Sequence, residues 1–477
     1  MCASAHALPQ SSEVETSCGC GRDWSTAQRP ACRMERLAEV RIARFCGALR
    51  NKSRPFTEYK GYIMNQNNFE SVKNEIFGLK NKILELQEIL TSIPAMAPES
   101  GGNGESEKCA ALKKFLLNEG FNESQFSEFD CPDSRVSSGV RPNLILTVEG
   151  KNTQQSVWVM AHLDVVPPGD LSKWKESPWK VRFDENSGKI TGRGVEDNQQ
   201  GLVSGVTALL ALVKKNITPS CNVKLLFMAD EEFGSEYGIK FLLKEHKEIF
   251  GQNDLIIIPD GGDSKGETIE VAEKNILWLK IHVTGEQTHG SMPHKGKNAF
   301  LAGCALAVLL NDMENFFDRK DSLFSPPYST FQPTKKESNV ETVNIIPGDD
   351  VFYVDCRILP CYTLDTVRSE IKSRVRQIEE KFGVKVDLEE VQAQQSPATS
   401  VNSPVVEKLS KALLETHGIK ARPVGIGGGT VGAELRNYGF DAAIWSTMDE
   451  VCHQPEEYCF IQNIIKDAQT LAWVFMS

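Results

Sequence analysis

The chain reads as an α/β fold: a sheet with helices on its faces, carrying an inserted α+β unit. Two observations predict it. Between residues 144 and 258, short apolar runs that suit buried strands alternate with segments of helical period. Residues 276–392 then form a block with strands and helices of their own, before the first pattern resumes near Ser403. At 477 residues the chain is too long for one ordinary domain, so two folded units plus extensions are expected.

From the N-terminus, residues 1–63 stand apart. They hold five of the thirteen cysteines, favour arginine where the rest favours lysine, and sustain neither a helical nor a strand period. The expectation is a disordered extension or an over-called translation start, with Met64 as the natural beginning. A transit peptide is the rival reading, weakened by acidic residues such as Glu13, Glu15 and Asp23. Phe69, Val72, Ile76, Leu79, Ile83, Leu86 and Leu90 then recur at helical spacing. Segments 144–148 and 157–161 read as strands, 199–215 as a helix, 223–228 as a strand, 239–245 as a helix and 255–258 as a buried strand. These belong to the first part of the sheet domain, 64–275. In the block 276–392, strands are expected at 276–283, 342–346, 351–357 and 384–390, and helices at 299–315 and 364–382. Residues 393–477 complete the sheet domain.

Composition excludes several classes. Hydrophobic residues at 40% and charged residues at 25% are ordinary for a globular protein. A net charge of −11, with no Lys/Arg block interleaved with aromatics, speaks against nucleic-acid binding. The most apolar stretch, 202–213, is interrupted by Ser204, Gly205 and Thr207 and reads as a buried helix. No run approaches the roughly 18–20 residues of a membrane span, so no membrane association is expected. The N-terminus lacks the apolar core of a secretory signal. Thirteen cysteines without paired spacing fit a reducing, cytoplasmic setting.

Five segments place metal-type side chains at predicted strand exits or helix entries. They are His162-Leu-Asp164, Asp197-Asn198 after Gly192-Arg-Gly194, Glu231-Glu232, Asp260-Gly-Gly262, and Asp449-Glu-Val-Cys-His453. Singly, each has an ordinary explanation: a cap, a solvated helix start, a turn. Together and in one order they meet the needs of a pair of divalent cations. Such a pair requires a bridging carboxylate, imidazole and carboxylate ligands on each side, and a further carboxylate to take a proton from water. In open α/β sheets, ligands sit outside the carboxyl ends of the strands, where these residues fall. Gly427, Gly429 and Gly432 spell GxGxxG before a helix. Only about 45 residues follow, too few for a dinucleotide domain.

This series, with Gly234-Ser235 after the paired glutamates, resembles the metallopeptidase family of aminoacylase-1, succinyl-diaminopimelate desuccinylase, acetylornithine deacetylase, glutamate carboxypeptidase and bacterial dipeptidases. The likeness covers about residues 69–477. It implies a mixed-sheet α/β metallopeptidase domain with an inserted α+β lid that serves dimerisation. It also implies two divalent metal ions, with Zn²⁺ first and Mn²⁺ or Co²⁺ also suited. By resemblance, His162 and Asp260 bind one metal, Glu232 and His453 the other, and Asp197 bridges them through a cis peptide bond to Asn198. Glu231 is the general base, and Asp164 orients His162. In the block 276–392, Thr288-His289-Gly290-Ser291 is similar to the lid segment whose histidine polarises the scissile carbonyl. Asn344 and Arg357 resemble the lid residues that hold the substrate carboxylate, and Gly428-Gly429-Thr430, in the second part of the sheet domain, matches a family turn that helps bind it. The implied activity is hydrolysis of an amide bond in a dipeptide or small peptide, favoured by Asp260. An N-acyl amino acid deacylase of desuccinylase type is the alternative. A catalytically silent binding protein is a third reading, disfavoured because every ligand and the base are retained. A homodimer is expected. Gln199-Gln200, Val431 and Glu456 depart from the family pattern, which bears on substrate identity.

Overall fold

The computed structural model describes residues 66–477, so the expectations for 1–63 lie outside the described residues. One sheet begins with β1 (Phe126–Glu128), β2 (Leu144–Val148), β3 (Asn152–His162), β4 (Cys221–Met228), β5 (Leu255–Asp263) and β6 (Thr268–Glu273). A second is built from β7 (Asn275–Thr284), β8 (Thr330–Lys336), β9 (Asp349–Ile358) and β10 (Lys385–Gln394). The chain then returns to the first sheet with β11 (Arg422–Ile426) and β12 (Ala442–Thr447). The eight-stranded order is β1-β2-β4-β3-β5-β12-β6-β11, and the four-stranded order is β8-β9-β7-β10. The central strands β4, β3, β5 and β12 run parallel, with antiparallel neighbours on either side, so the sheet is mixed.

The two sheets read differently because they are buried differently. In β3, Val157 to His162 are all buried, the continuous run of a parallel strand covered on both faces. The helices Gln199–Lys214 and Ile461–Met476 cover one face, and Ile239–Glu245 and Val431–Asn437 the other. The helix Gln199–Lys214 is buried almost all round, as its apolar middle predicts. In β7 and β9, buried residues alternate with half-buried ones. The buried set, including Leu279, Ile281 and Val354, packs on the helices Ala299–Asn311 and Leu364–Phe382. The other set, including Trp278, Asp355 and Arg357, faces away from that core.

Several elements differ from expectation. The run from Phe69 to Leu90 is two helices, Gln66–Gly78 and Lys80–Thr91. Gly78 weakens the helix interior, and Leu79 turns the chain while keeping its side chain in the same core. Of the strand expected at 342–346, only Ile345–Ile346 pairs, with Thr288–His289. Val343 is fully exposed, so no burial holds 342–344 in a sheet. Strands β6 and β8 had no clear sequence signal. Ala299–Phe316 is 18 residues long and mostly apolar, yet it carries Asp312 and Glu314 and is no clear membrane span. It is two helices parted at Asp312, and its inner face packs on the second sheet.

Candidate active site

Four neighbouring parallel strands deliver the polar residues to one edge of the first sheet. His162 ends β3, and Asp164 follows it. The turn after β4 carries Glu231 and Glu232. Asp260 lies in β5, and the loop after β12 carries His453. Asp197 comes from the segment just before the helix Gln199–Lys214, and its peptide bond to Asn198 is cis.

Asp197 sits at the centre. Its Oδ1 lies 2.9 Å from His162 Nε2, and its Oδ2 lies 3.1 Å from His453 Nε2. His162 Nε2 is also 3.7 Å from Asp260 Oδ1, and His453 Nε2 is 3.0 Å from Glu232 Oε2. One carboxylate thus separates two histidine-carboxylate pairs. Two overlapping sets of ligand atoms, His162-Asp197-Glu232 and His162-Glu231-Asp260, each converge within 4.8 Å. His162 Nδ1–H donates to the backbone oxygen of Asp164 at 3.0 Å, which fixes the tautomer and leaves Nε2 turned to the carboxylates. The Asp164 carboxylate accepts the backbone N–H groups of Glu231 at 3.1 Å and Glu232 at 3.0 Å. Asp164 therefore ties the β3 exit to the glutamate pair, and its carboxylate lies 3.4 Å from His162 Nδ1.

The electrostatics suit a cation. Burial, then the charge of Asp260, pushes the Glu231 carboxyl well above its usual range. Burial raises Glu232 to about 7, and Asp197 adds to the push. Hydrogen bonds to Asp197 and Glu232 raise His453 to about 10. Five carboxylates crowd two imidazoles here, so protons stand in where positive charge is needed. The nitrogen-and-oxygen donor set fits Zn²⁺, Mn²⁺ or Co²⁺.

A cleft of about 560 Å³ opens over this cluster. Arg357, Gly429, Thr430, Trp278 and Gln394 line it beside Asp197, Glu231, Glu232, Asp260 and His453. Gly428 is not among its walls. Arg357 is already engaged: Nε and Nη2 donate to Asp355 at 2.7 and 3.1 Å, and Nη1 to the Gly427 oxygen at 2.8 Å. The Thr430 hydroxyl donates inward to Glu273 at 2.6 Å. His289 and Asn344 do not reach the cleft. His289 is exposed, with Nδ1 accepting from Ser291 Oγ at 2.8 Å, and Asn344 lies beside it, its oxygen accepting from Gly290 N–H at 2.6 Å.

The profile of peptidase family M20/M25/M40 matches residues 158–477. The chain belongs to this family. As an M20 family member it is a metallohydrolase of amide bonds. A metallohydrolase of Methanococcus maripaludis is 38% identical over 409 residues, covering 82% of this chain and 97% of the relative. A succinyl-diaminopimelate desuccinylase of Rickettsia canadensis is 26% identical over 319 residues, 66% of this chain and 81% of the relative. Among solved structures, aminopeptidase PepT of Bacillus cereus shares the fold at TM-score 0.66 and 18% identity, over 84% of this chain and 98% of its own. Human carnosine dipeptidase 1 does so at 0.62 and 15%, over 86% and 99%.

Residues that sequence reasoning passed over hold the M20 site in shape. Glu457, fully buried, accepts from the Arg193 guanidinium and from the N–H groups of Gly194, Glu196 and Asp197 at 3.0–3.1 Å. Glu196 accepts from Asp449 N–H at 2.6 Å and Val451 N–H at 2.7 Å. Asn198 donates to Asp260 Oδ1 at 2.7 Å. Glu196 and Asn198 flank Asp197 in the sequence, which was the available signal; Glu457 had none. The departures from the family pattern find local partners. Gln200 donates to the Thr447 oxygen at 2.6 Å, and Glu456 accepts from Arg182 at 2.6 Å and from Lys175 N–H at 2.9 Å.

Proposed function

We propose that this enzyme hydrolyses the amide bond of a dipeptide or small peptide with a pair of divalent cations, Zn²⁺ foremost, at the His162–Asp197–His453 cluster. The observation that carries this is Asp197, whose two oxygens face different histidines. His162 and Asp260 would hold one ion, Glu232 and His453 the other, with Asp197 shared. Bound cations lower the pKa of water from about 15.7 towards 7 and draw electron density from the carbonyl. Glu231, half-buried beside the cluster, takes the proton of the attacking water. A carbon–oxygen bond forms, the carbon–nitrogen bond breaks, and Glu231 returns the proton to the departing amine. Asp164 holds the Glu231 and Glu232 backbones and the His162 ring in register. Arg357, Gly429 and Thr430 would position the substrate carboxylate, with Gly428 shaping the turn.

His289 and Asn344 enter the same reading through a second subunit or a closing motion, since neither lines the cleft. A homodimer is supported by the outer face of the helix Ala299–Asn311, where Phe300, Leu301 and Val308 lie exposed. The eight cysteines of the described residues are unpaired, in keeping with a reducing, cytoplasmic setting.

An N-acyl amino acid deacylase is the alternative, supported by the desuccinylase relatives. A panel of dipeptides against N-acetyl and N-succinyl amino acids, run with metal analysis, separates the two. Glu231→Gln tests the centre itself: turnover should be lost with two ions per chain retained. Loss of one ion would instead make Glu231 a ligand, and near-normal kcat would end its assignment as the base.

A further inference from the structure

A second cavity, of about 440 Å³, lies at the β6–β11 edge of the first sheet. It shares no lining residue with the cleft described above. Its outer wall is the segment around Phe324, which is fastened to the edge strand: Gly425 N–H donates to the Leu323 oxygen at 2.7 Å.

Glu270 projects from β6 into this cavity. It is only 7% exposed, and its Oε2 has no hydrogen-bond partner. Its Oε1 rests against Gly261, where a Cβ would stand 2.7 Å away, so the glycine leaves room for the carboxylate. Of the other charged groups on the wall, Glu450 is exposed, while Asp263 and Arg422 are already engaged. Asp263 accepts from Thr268 Oγ1 and from the N–H groups of Lys265 and Glu267. Arg422 donates to Thr268 Oγ1 at 3.0 Å and leans to Glu267, not to Glu270. Burial, then the neighbouring Glu273 and Asp260 charges, pushes the Glu270 carboxyl to about 8. A carboxyl so raised keeps its proton near neutral pH until a cation lies against it, and such a cation would stabilise the ionised form.

The choice of cation follows from the walls. A metal ion needs several oxygens converging on one point. Among the described residues, sets of three ligand atoms within 4.8 Å of one another occur only around His162. Here Glu270, the one buried carboxylate of the lining with an unpartnered oxygen, meets the apolar side chains of Leu323, Phe324 and Ile426, with the exposed Glu450 also on the wall, in a space large enough for a molecule of amino-acid size. We propose that this cavity binds an aliphatic primary ammonium, with Glu270 as its counter-charge and Leu323, Phe324 and Ile426 against its methylenes. Arg422 at the rim offers a place for a carboxylate at the far end of the same ligand. The proposal does not rest on which amide the enzyme cleaves.

Calorimetry on the full-length, metal-loaded protein tests it with three probes: pentylammonium, 5-aminopentanoate and neutral 1-pentanol. Saturable one-to-one binding of the ammonium probes is expected, with no detectable binding of the alcohol. Tighter binding of 5-aminopentanoate than of pentylammonium would identify an amino acid as the natural class, and the reverse order a simple amine. Glu270→Gln keeps the side chain's size and removes the ionisable carboxyl. It should melt no lower than wild type and bind the ammonium probes at least tenfold more weakly. Phe324→Ala gives an independent check: it should weaken pentylammonium more than methylammonium. Equal binding to wild type and Glu270→Gln would place the amine elsewhere, including in the metal cleft, and overturn the proposal. So would no binding to wild type at millimolar probe, or displacement of the probe by equimolar Mg²⁺ or K⁺.

Discussion

Glu457 joins the two loops that carry Asp197 and His453, and removing its charge should loosen both. The carboxylate is fully buried and accepts from Arg193 Nη1 and from three backbone N–H groups of residues 194–197. Glu457→Gln leaves the Arg193 charge buried without a counter-charge and turns an amide N–H₂ towards donors. Breaking one side of a buried pair typically costs about 3–5 kcal/mol. Against a total stability of about 5–15 kcal/mol that is a large fraction. Adding Arg193→Met removes the stranded charge, so the double variant should be more stable than Glu457→Gln alone, with a coupling of up to about 3 kcal/mol. The amide can turn its oxygen to only one side of this network, so the N–H groups of Gly194, Glu196 and Asp197 cannot all keep an acceptor. Metal affinity should therefore fall about 10–100-fold, the usual effect of removing a group that orients ligands. Urea unfolding followed by circular dichroism reads the stability, and metal content after dialysis against graded chelator reads the affinity. A Glu457→Gln protein within about 1 kcal/mol of wild type, with unchanged metal retention, would refute the view that this carboxylate shapes the site.

Three further outcomes are expected. Arg357→Ala should raise KM about tenfold or more, most for substrates with a free carboxylate, with a smaller change in kcat; an equal effect on uncharged amides would assign Arg357 to holding Gly427 instead. His289→Ala should lower kcat about 10²–10³-fold with metal content intact, the typical loss for one oxyanion donor. Mixing it with Glu231→Ala subunits should restore activity if the histidine crosses between subunits, and no recovery after verified exchange would keep it within its own chain. Asp133 is held at about 2 by its hydrogen bonds to Arg135, below its ordinary 3.8. Its contribution to stability is thus full above the ordinary value and is lost as pH falls through about 2. The stability difference between wild type and Asp133→Asn should be flat near neutrality and close on acidification below pH ~4; a gap that persists at pH ~2 would show that the carboxylate charge is not its source.

The strand exits were legible because their chemistry is sparse. Few contexts place His162, Asp197, Glu231, Asp260 and His453 after apolar runs in one order, and the sheet brings those exits together by its parallel centre. Period alone was a weaker guide. Thr342 to Ile346 has the composition of a strand, yet burial reaches only its last two residues. Residues 299–310 are apolar on all sides, which sequence cannot divide into a face turned to its own sheet and a face left outward. The β8 strand is exposed along most of its length, so no alternation marks it.

What sequence could not show is how far the chosen residues are already committed. Arg357 is a fork-shaped donor suited to a carboxylate, and three of its N–H groups are spent on Asp355 and Gly427 before any substrate arrives. Thr430 stands at the turn expected to hold a carboxylate, but its hydroxyl points inward to Glu273. Asp355 is only two residues from Arg357, but the Gly427 and Glu273 partners lie 70 and 157 residues away in the chain, beyond the reach of local pattern. They also decide what these residues can do. A guanidinium already clamped to Asp355 is rigid, so it loses little side-chain freedom on binding and discriminates by position more than by charge. The ion pair it makes with Asp355 has a net charge near zero. Recognition of a substrate carboxylate in this cleft then needs further donors, and Asn344, exposed outside the cleft, is the one the sequence proposed for that task.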